Sequence, residues 1–221
     1  MQYGMSMLFV GGTASGKTTS LNACSLFLPW QHKIVSIEET RELNLPHPNW
    51  IPGCTRQGFG GESAGSGTKA PGEVDMYDLL RAALRERPEY IIVGEIRGAE
   101  AYVLFQAMAT GHTTYSTFHA DSIQSLVHRL ENKPIEIPRV LIPALDGISI
   151  QIQTRVGGKR VRRNKGILEI IGIDPHSHEL LTNEAFRWDN TVDEFIFTGK
   201  SYIFEKIMMK ANLNRVEIMD E

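Results

Sequence analysis

The sequence predicts an α/β fold: a mostly parallel sheet with helices, then a small C-terminal appendage of antiparallel strands and helix. Three observations carry this expectation. Short continuous apolar runs at 7–10, 34–37 and 90–95 have the character of strands buried on both faces. Stretches of helical period separate them. After Gly147 the pattern switches to alternation, with Ile148, Ile150 and Ile152 on one face.

Met7 to Val10 reads as a buried strand entering the turn Gly11-Gly12. Thr18 to Leu28 follows as a helix, with Leu21, Ala23, Cys24, Leu26 and Leu28 apolar and Pro29 as its stop. Ile34 to Ile37 is a second strand, ending in Glu38-Glu39. Residues 44–74 lose all periodicity: Pro46, Pro48 and Pro52 come first, and seven glycines fall from Gly53 to Gly72. A long loop is expected there, closing on a ligand or a neighbouring subunit, or simply disordered. Asp75 is an expected N-cap for a helix whose stripe is Met76, Leu79, Leu80, Ala83 and Leu84, closed by Pro88. Tyr90 to Glu95 is a central strand, Ala99 to Ala109 a helix, Thr113 to Phe118 a strand and Ser122 to Leu130 a helix. Ile137 to Leu145 is expected to be a short helix, Pro138 being tolerated in its first turn. Gly157-Gly158 predicts a hairpin turn, Val161 to Ile173 the returning strand, 179–181 and 194–197 a short strand pair, and Tyr202 to Ala211 a last helix. The expected division is a core over 1–147 and an appendage of the same domain over 148–221.

Composition limits the function. The chain has 221 residues, 42% of them hydrophobic, enough for one cored domain. Twenty-three basic against 26 acidic residues give net −3, which argues against a protein that coats nucleic acid. No apolar run approaches the ~18–20 residues of a membrane span, and Met1 to Val10 is too short and polar for a signal peptide. Cys24 and Cys54 form no CxxC pair, so a zinc knuckle is excluded; a disulfide between them has no framework pattern behind it. A cytoplasmic domain is expected.

Gly11-Gly12-Thr13-Ala14-Ser15-Gly16-Lys17-Thr18 matches the GxxxxGKS/T phosphate loop in full, between a predicted strand and a predicted helix. Small residues let backbone N–H groups converge on phosphate oxygens, and the helix N-terminus adds positive potential. Lys17 is the point charge for the β- and γ-phosphates and Thr18 Oγ a Mg²⁺ ligand. The candidate ligands are ATP and Mg²⁺, held by these residues and Thr19. Glu95 ends an apolar strand as a Mg²⁺-supporting acid does, or as an exposed strand-end glutamate does. Glu38 and Glu39 end the strand after the phosphate-loop helix, where a carboxylate orients or deprotonates a water; a solvated turn has the same pattern. His112 and His119 lie seven apart across a strand, on opposite faces, so joint metal ligation is not expected. One is placed to touch a phosphate from the strand end while the other packs.

Four segments in this order resemble the secretion ATPase superfamily of type II and type IV systems. They are the phosphate loop at 11–18, the acidic box Ser36 to Leu43, the strand box Ile92 to Gly98, and the histidine box Gly111 to Asp121. The resemblance covers nearly the whole chain and is closest to archaeal pilus and archaellum motors, whose branch Leu45 to Trp50 and Phe186-Arg187-Trp188 also resemble. It implies a RecA-like P-loop NTPase core, and a hexameric ring at the cytoplasmic face of the membrane. There ATP hydrolysis drives pilin assembly or export through a membrane platform protein. It implies Glu38 as the catalytic acid, Glu95 as support for Mg²⁺, and His112 and His119 as the histidine box. Arg41, Arg56 and Arg97 are implied phosphate or inter-subunit contacts. Two features depart from the pattern: Glu39 stands where the family usually has Asp, and the tetracysteine zinc element of bacterial members is absent. The chain also starts about six residues before its first strand, where members carry a large N-terminal domain; an isolated motor domain is expected.

Arg155, Lys159, Arg160, Arg162, Arg163 and Lys165 put six basic residues in eleven positions. That suits a docking hairpin for an acidic partner or membrane, or a solvated hairpin whose charges protect an edge. No aromatic interleaves them to stack bases, so nucleic acid is not an expected partner. Two competing functions remain: a DNA translocase on the same core, and a nucleotide-binding assembly module with little turnover alone.

Overall fold

A computed structural model describes residues 1–59 and 70–220. Nine strands among them form one sheet: β1 Met7–Gly11, β2 Ile34–Glu38, β3 Trp50–Cys54, β4 Tyr90–Glu95, β5 Thr113–Phe118, β6 Gly147–Val156, β7 Lys159–Ile173, β8 Leu180–Asp189 and β9 Glu194–Phe197. The spatial order is β3-β2-β4-β5-β1-β6-β7-β8-β9. Pairing is parallel from β3 across to β6 and antiparallel from β6 to β9. The antiparallel C-terminal strands therefore continue the parallel sheet, because β6 pairs with β1, Gly11 standing opposite Gln151.

The two-residue period of the strands divides the core between the faces. Leu8, Val10, Val35, Ile37, Ile91 and Val93 face one way. There they meet Met76 and Leu80 of α2 (Met76–Arg85), Leu104 and Phe105 of α3 (Glu100–Ala109), and Leu126 and Leu130 of α4 (Ile123–Glu131). Phe9, Ile34, Tyr90, Ile92 and Tyr115 face the other way and cluster with Leu21 of α1 (Lys17–Ser25) and with Leu28, Leu43 and Leu45. Covering both faces is what lets β1, β2 and β4 be continuously apolar.

Asp75 caps α2 as expected: its side chain accepts from Asp78 N, and the Asp78 side chain accepts from Asp75 N. Several expectations need correction. Residues 44–74 are not one loop, since β3 lies inside them as the edge strand. Pro52 is tolerated there because an edge strand uses only one side of its backbone for pairing. The Gly-rich stretch at 60–69, where loop closure was expected, lies outside the described residues. The short helix expected over 137–145 is present as a 3-10 helix, Arg139–Ala144, inside which Pro143 has no N–H to donate. The strand pair expected around 179–181 and 194–197 is present as β8 and β9, but with a different extent and register. β8 is ten residues long and pairs first with β7, and β9 meets its far end, Phe186 to Asp189. α1 ends at Ser25, and residues 26–28 tighten into turns whose N–H groups donate three residues back. After α5 (Tyr202–Ala211) a further helix, α6 (Arg215–Asp220), was not expected.

Candidate nucleotide site

Parallel strands aim their carboxyl ends at one edge, where open α/β sheets place ligands. β1, β2, β4 and β5 end there in Gly11, Glu38, Glu95 and Phe118. The turn after β1 is compact. A Cβ on Gly11 would stand 2.4 Å from both the Gln151 carbonyl oxygen and Ser15 Oγ, so only glycine fits against β6. Gly16 has φ +100°, the left-handed region that favours glycine, and it caps α1. Ser15 Oγ donates to the Gly12 carbonyl at 2.8 Å, and Lys17 Nζ donates to the same oxygen at 2.9 Å. Burial pulls the Lys17 ammonium below its ordinary pKa; Glu95 opposes this, Arg97 adds to it and Glu42 opposes it.

Lys17, Thr18, Glu38, Glu39, Thr40, Glu42, Gly94, Glu95, Arg97 and Thr117 line one cleft of about 170 Å³. Glu38 is 2% exposed. Its Oε1 accepts from Glu42 N and Leu43 N, each at 2.9 Å. Its Oε2 is buried and has no partner among the described residues. A buried carboxylate oxygen without a donor is unfavourable by about 1–3 kcal/mol, more when charged, unless a water or ligand meets it. Gly94 makes room for this side chain: a Cβ there would be 3.2 Å from Glu38 Cγ. Glu39, one residue on, is exposed and pairs with Arg97 Nη1 at 3.3 Å. Arg97 Nη2 also holds the Glu95 carboxylate. One guanidinium thus spans both acids, and hydrogen bonding to Glu95 is the first cause raising its pKa. Thr18 Oγ and the Glu95 carboxylate are the hard oxygen donors that suit Mg²⁺, which takes one or two protein ligands and completes its shell with phosphates and water. The Glu38 oxygen that lacks a donor faces the same requirement, so the residues present fit the pair ATP and Mg²⁺.

The remaining site expectations divide. Thr13, Ala14 and Thr19 are exposed on the loop and the first turn of α1, and Gly12 has open space where a Cβ would stand. His119 follows the carboxyl end of β5, on the cleft side of the sheet; its carbonyl accepts from Arg129. His112 is not brought to the cleft. It precedes β5, and seven residues at ~3.3 Å each put it roughly 20 Å away along the strand. There it lines a separate cavity with His32, Tyr90 and Lys210. Arg41 and Arg56 do not reach the cleft either. The Arg41 guanidinium lies 5.1 Å from the Trp50 ring centroid, and Arg56 Nε donates to the Gly72 carbonyl at 2.8 Å. Sequence reasoning missed Thr117, whose Oγ1 donates to Gly94 O at 2.7 Å and shapes the bulge that carries Glu95. A polar residue next to the last of a strand that ends at the site was the available signal.

The strand order and the glycine turn at the carboxyl end of β1 define the class, a RecA-like α/β protein with antiparallel C-terminal strands. The chain belongs to the type II/IV secretion system protein family, which it matches over residues 1–217. An uncharacterized protein of Methanocaldococcus jannaschii is 45% identical over 221 residues, all of this chain and 79% of that protein. The type IV secretion system protein PtlH of Bordetella pertussis is 34% identical over 178 residues, 74% of this chain and 49% of PtlH. Among solved structures, the VirB11 ATPase of the Brucella suis type IV secretion system, in complex with sulphate, superposes with a TM-score of 0.60. It is 27% identical over 75% of this chain and 48% of that one. The chain thus spans about half the length of PtlH and VirB11. Among the described residues no helix is long and apolar enough to cross a membrane.

Proposed function

We propose that this chain is the ATP-hydrolysing motor domain of a secretion or type IV pilus-like assembly machine. The observation that carries the reading is the Glu38 carboxylate. One oxygen is pinned by two backbone amides, and the other is buried with no partner among the described residues, beside a cleft that Glu38 lines with Lys17, Thr18 and Glu95. The amides of residues 12–18 and the α1 N-terminus hold the phosphates, and Lys17 leaves the Gly12 carbonyl to reach the β- and γ-oxygens. Mg²⁺, when bound by Thr18 and Glu95, neutralises charge growing on those oxygens. Glu38 orients a water through Oε2 and accepts its proton during attack on the γ-phosphate. Membership of the family and similarity to an ATPase support this chemistry.

On this reading the chain works in a hexamer with a membrane platform protein, at the inner face of the membrane and without nucleic acid. A second reading, an assembly module with little turnover alone, is favoured by one observation. Arg41 and Arg56 are held away from the cleft, leaving Lys17 and Arg97 as its cationic lining. A charge donated in trans is worth ~10³–10⁵ in rate where arginine fingers act. Two assays test the proposal: binding of Mg-ATP by wild type and Lys17→Ala, and phosphate release by this chain and by a form extended to the length of its relatives. Wild type should bind, Lys17→Ala should not, and the extended form should turn over far faster. Equal affinity in Lys17→Ala removes the site assignment.

A further inference from the structure

The hairpin of β6 and β7 rises beside the glycine turn, because β6 is hydrogen-bonded to β1 and runs five residues past Gln151, the partner of Gly11. The return strand brings Arg162, opposite Gln153, over the turn. A Cβ built on Gly16 would lie 3.4 Å from Arg162 Cδ and 4.0 Å from Arg162 Cβ, so the arginine stem is in van der Waals range of the last residue before Lys17. The atom beyond Cδ is Nε, the first guanidinium nitrogen. The side chain is exposed, and among the described residues it has no hydrogen-bond or ion-pair partner. Two arginines of the same cluster are committed elsewhere: Arg163 makes a bidentate pair with Asp193 at 2.7 and 2.6 Å, and Arg160 donates to Gln153 Oε1 at 2.7 Å. Strand alternation sends Arg162 and Arg163 to opposite faces, and the turn lies on the Arg162 side.

We propose that Arg162 is a nucleotide-phosphate ligand that completes the glycine loop from the antiparallel part of the sheet. The inference rests on the nucleotide reading of that loop and adds a residue outside it. Backbone amides of residues 12–16 can surround a diphosphate on the loop; a guanidinium at the end of a stem packed on Gly16 would add forked donors from outside the loop.

Arginine stems also cover surface without using their charge, so the test separates stem from head. MgADP affinity is measured by calorimetry for wild type, Arg162→Met, Arg162→Lys, Arg155→Met and Lys17→Ala, with the melting temperature of each free protein. Arg162→Met keeps an apolar stem and should bind MgADP about tenfold more weakly, with the melting temperature unchanged. Arg162→Lys should recover part of the loss. Arg155→Met removes a charge from the same hairpin and should bind like wild type. Inorganic pyrophosphate, displacing a fluorescent ADP, should lose as much affinity for Arg162→Met as ADP does. Wild-type affinity in Arg162→Met, with Lys17→Ala defective, overturns this inference and leaves the nucleotide reading standing. An equal loss in Arg155→Met, or a loss for ADP that pyrophosphate does not share, also overturns it. Absence of ADP binding by wild type overturns the reading on which it rests.

Discussion

At the end of β2 the strand turns the Glu38 side chain into the protein and leaves Glu39 in solvent, where its partner Arg97 is itself more than half exposed. Exposed pairs contribute at most about 1 kcal/mol. Glu39→Gln should therefore change stability and nucleotide affinity little, which denaturation and binding assays measure; loss of turnover with binding intact would exchange the two glutamates. Glu95→Gln should raise the Mg²⁺ concentration needed for half-maximal turnover, since it removes a carboxylate beside Thr18 while leaving the loop amides in place. A Mg²⁺ titration indistinguishable from wild type would remove Glu95 from the metal's surroundings. The glycine loop was legible because its spacing is local. The choice between Glu38 and Glu39 was not, because adjacent residues at a strand end differ only in which face the strand turns inward. His112 and His119 were legible as a pair that does not converge, but which of them ends near the cleft depends on the direction of β5. Arg162 was unreadable, since its neighbour Gly16 lies 146 positions earlier in the chain.

Among the elements, apolar runs carried the parallel strands and Asp75 the start of α2; Ser122 and Ser201, not read as caps in the sequence, accept a backbone N–H in the first turn of their helices in the same way. Asp75→Ala should destabilise the protein by about 1 kcal/mol, read by chemical denaturation; no change would mean that α2 is held by packing alone. β3 was hidden by Pro52, which a sheet accepts at an edge strand, and by Gly53, which weakens a strand pattern. The β8–β9 turn is held by Asp193, which accepts from Arg163 and from Trp188 Nε1. These donors, Arg163 foremost, lower the Asp193 carboxyl to about 2. An unfolded Asp titrates near ~3.9, so the contribution of this contact is complete above that value and is lost as pH falls toward 2. An NMR titration should find the Asp193 midpoint near 2; a midpoint at the ordinary value would mean the turn does not hold this geometry in solution.

For the molecule as a whole, the sheet joins the proposed phosphate site to the C-terminal strands through the single β1–β6 pairing, so a change at the loop and a change in the hairpin share one backbone ladder. The proposed active cleft is edged by acids, with the candidate arginines Arg41 and Arg56 turned elsewhere, which suits completion by a neighbouring subunit. This chain alone is expected to bind nucleotide weakly and to remain mainly non-hexameric at micromolar concentration. Sedimentation velocity should show a small species; a stable hexamer with full-rate turnover would contradict this expectation. The central claim is that Glu38 acts on the water that attacks ATP. The measurement that tests it most directly is steady-state ATP turnover by Glu38→Gln in the assembled ring, with ATP affinity determined on the same sample. Loss of a positioned base should lower turnover by ~10²–10⁴ while ATP still binds; turnover within a few-fold of wild type would contradict the account.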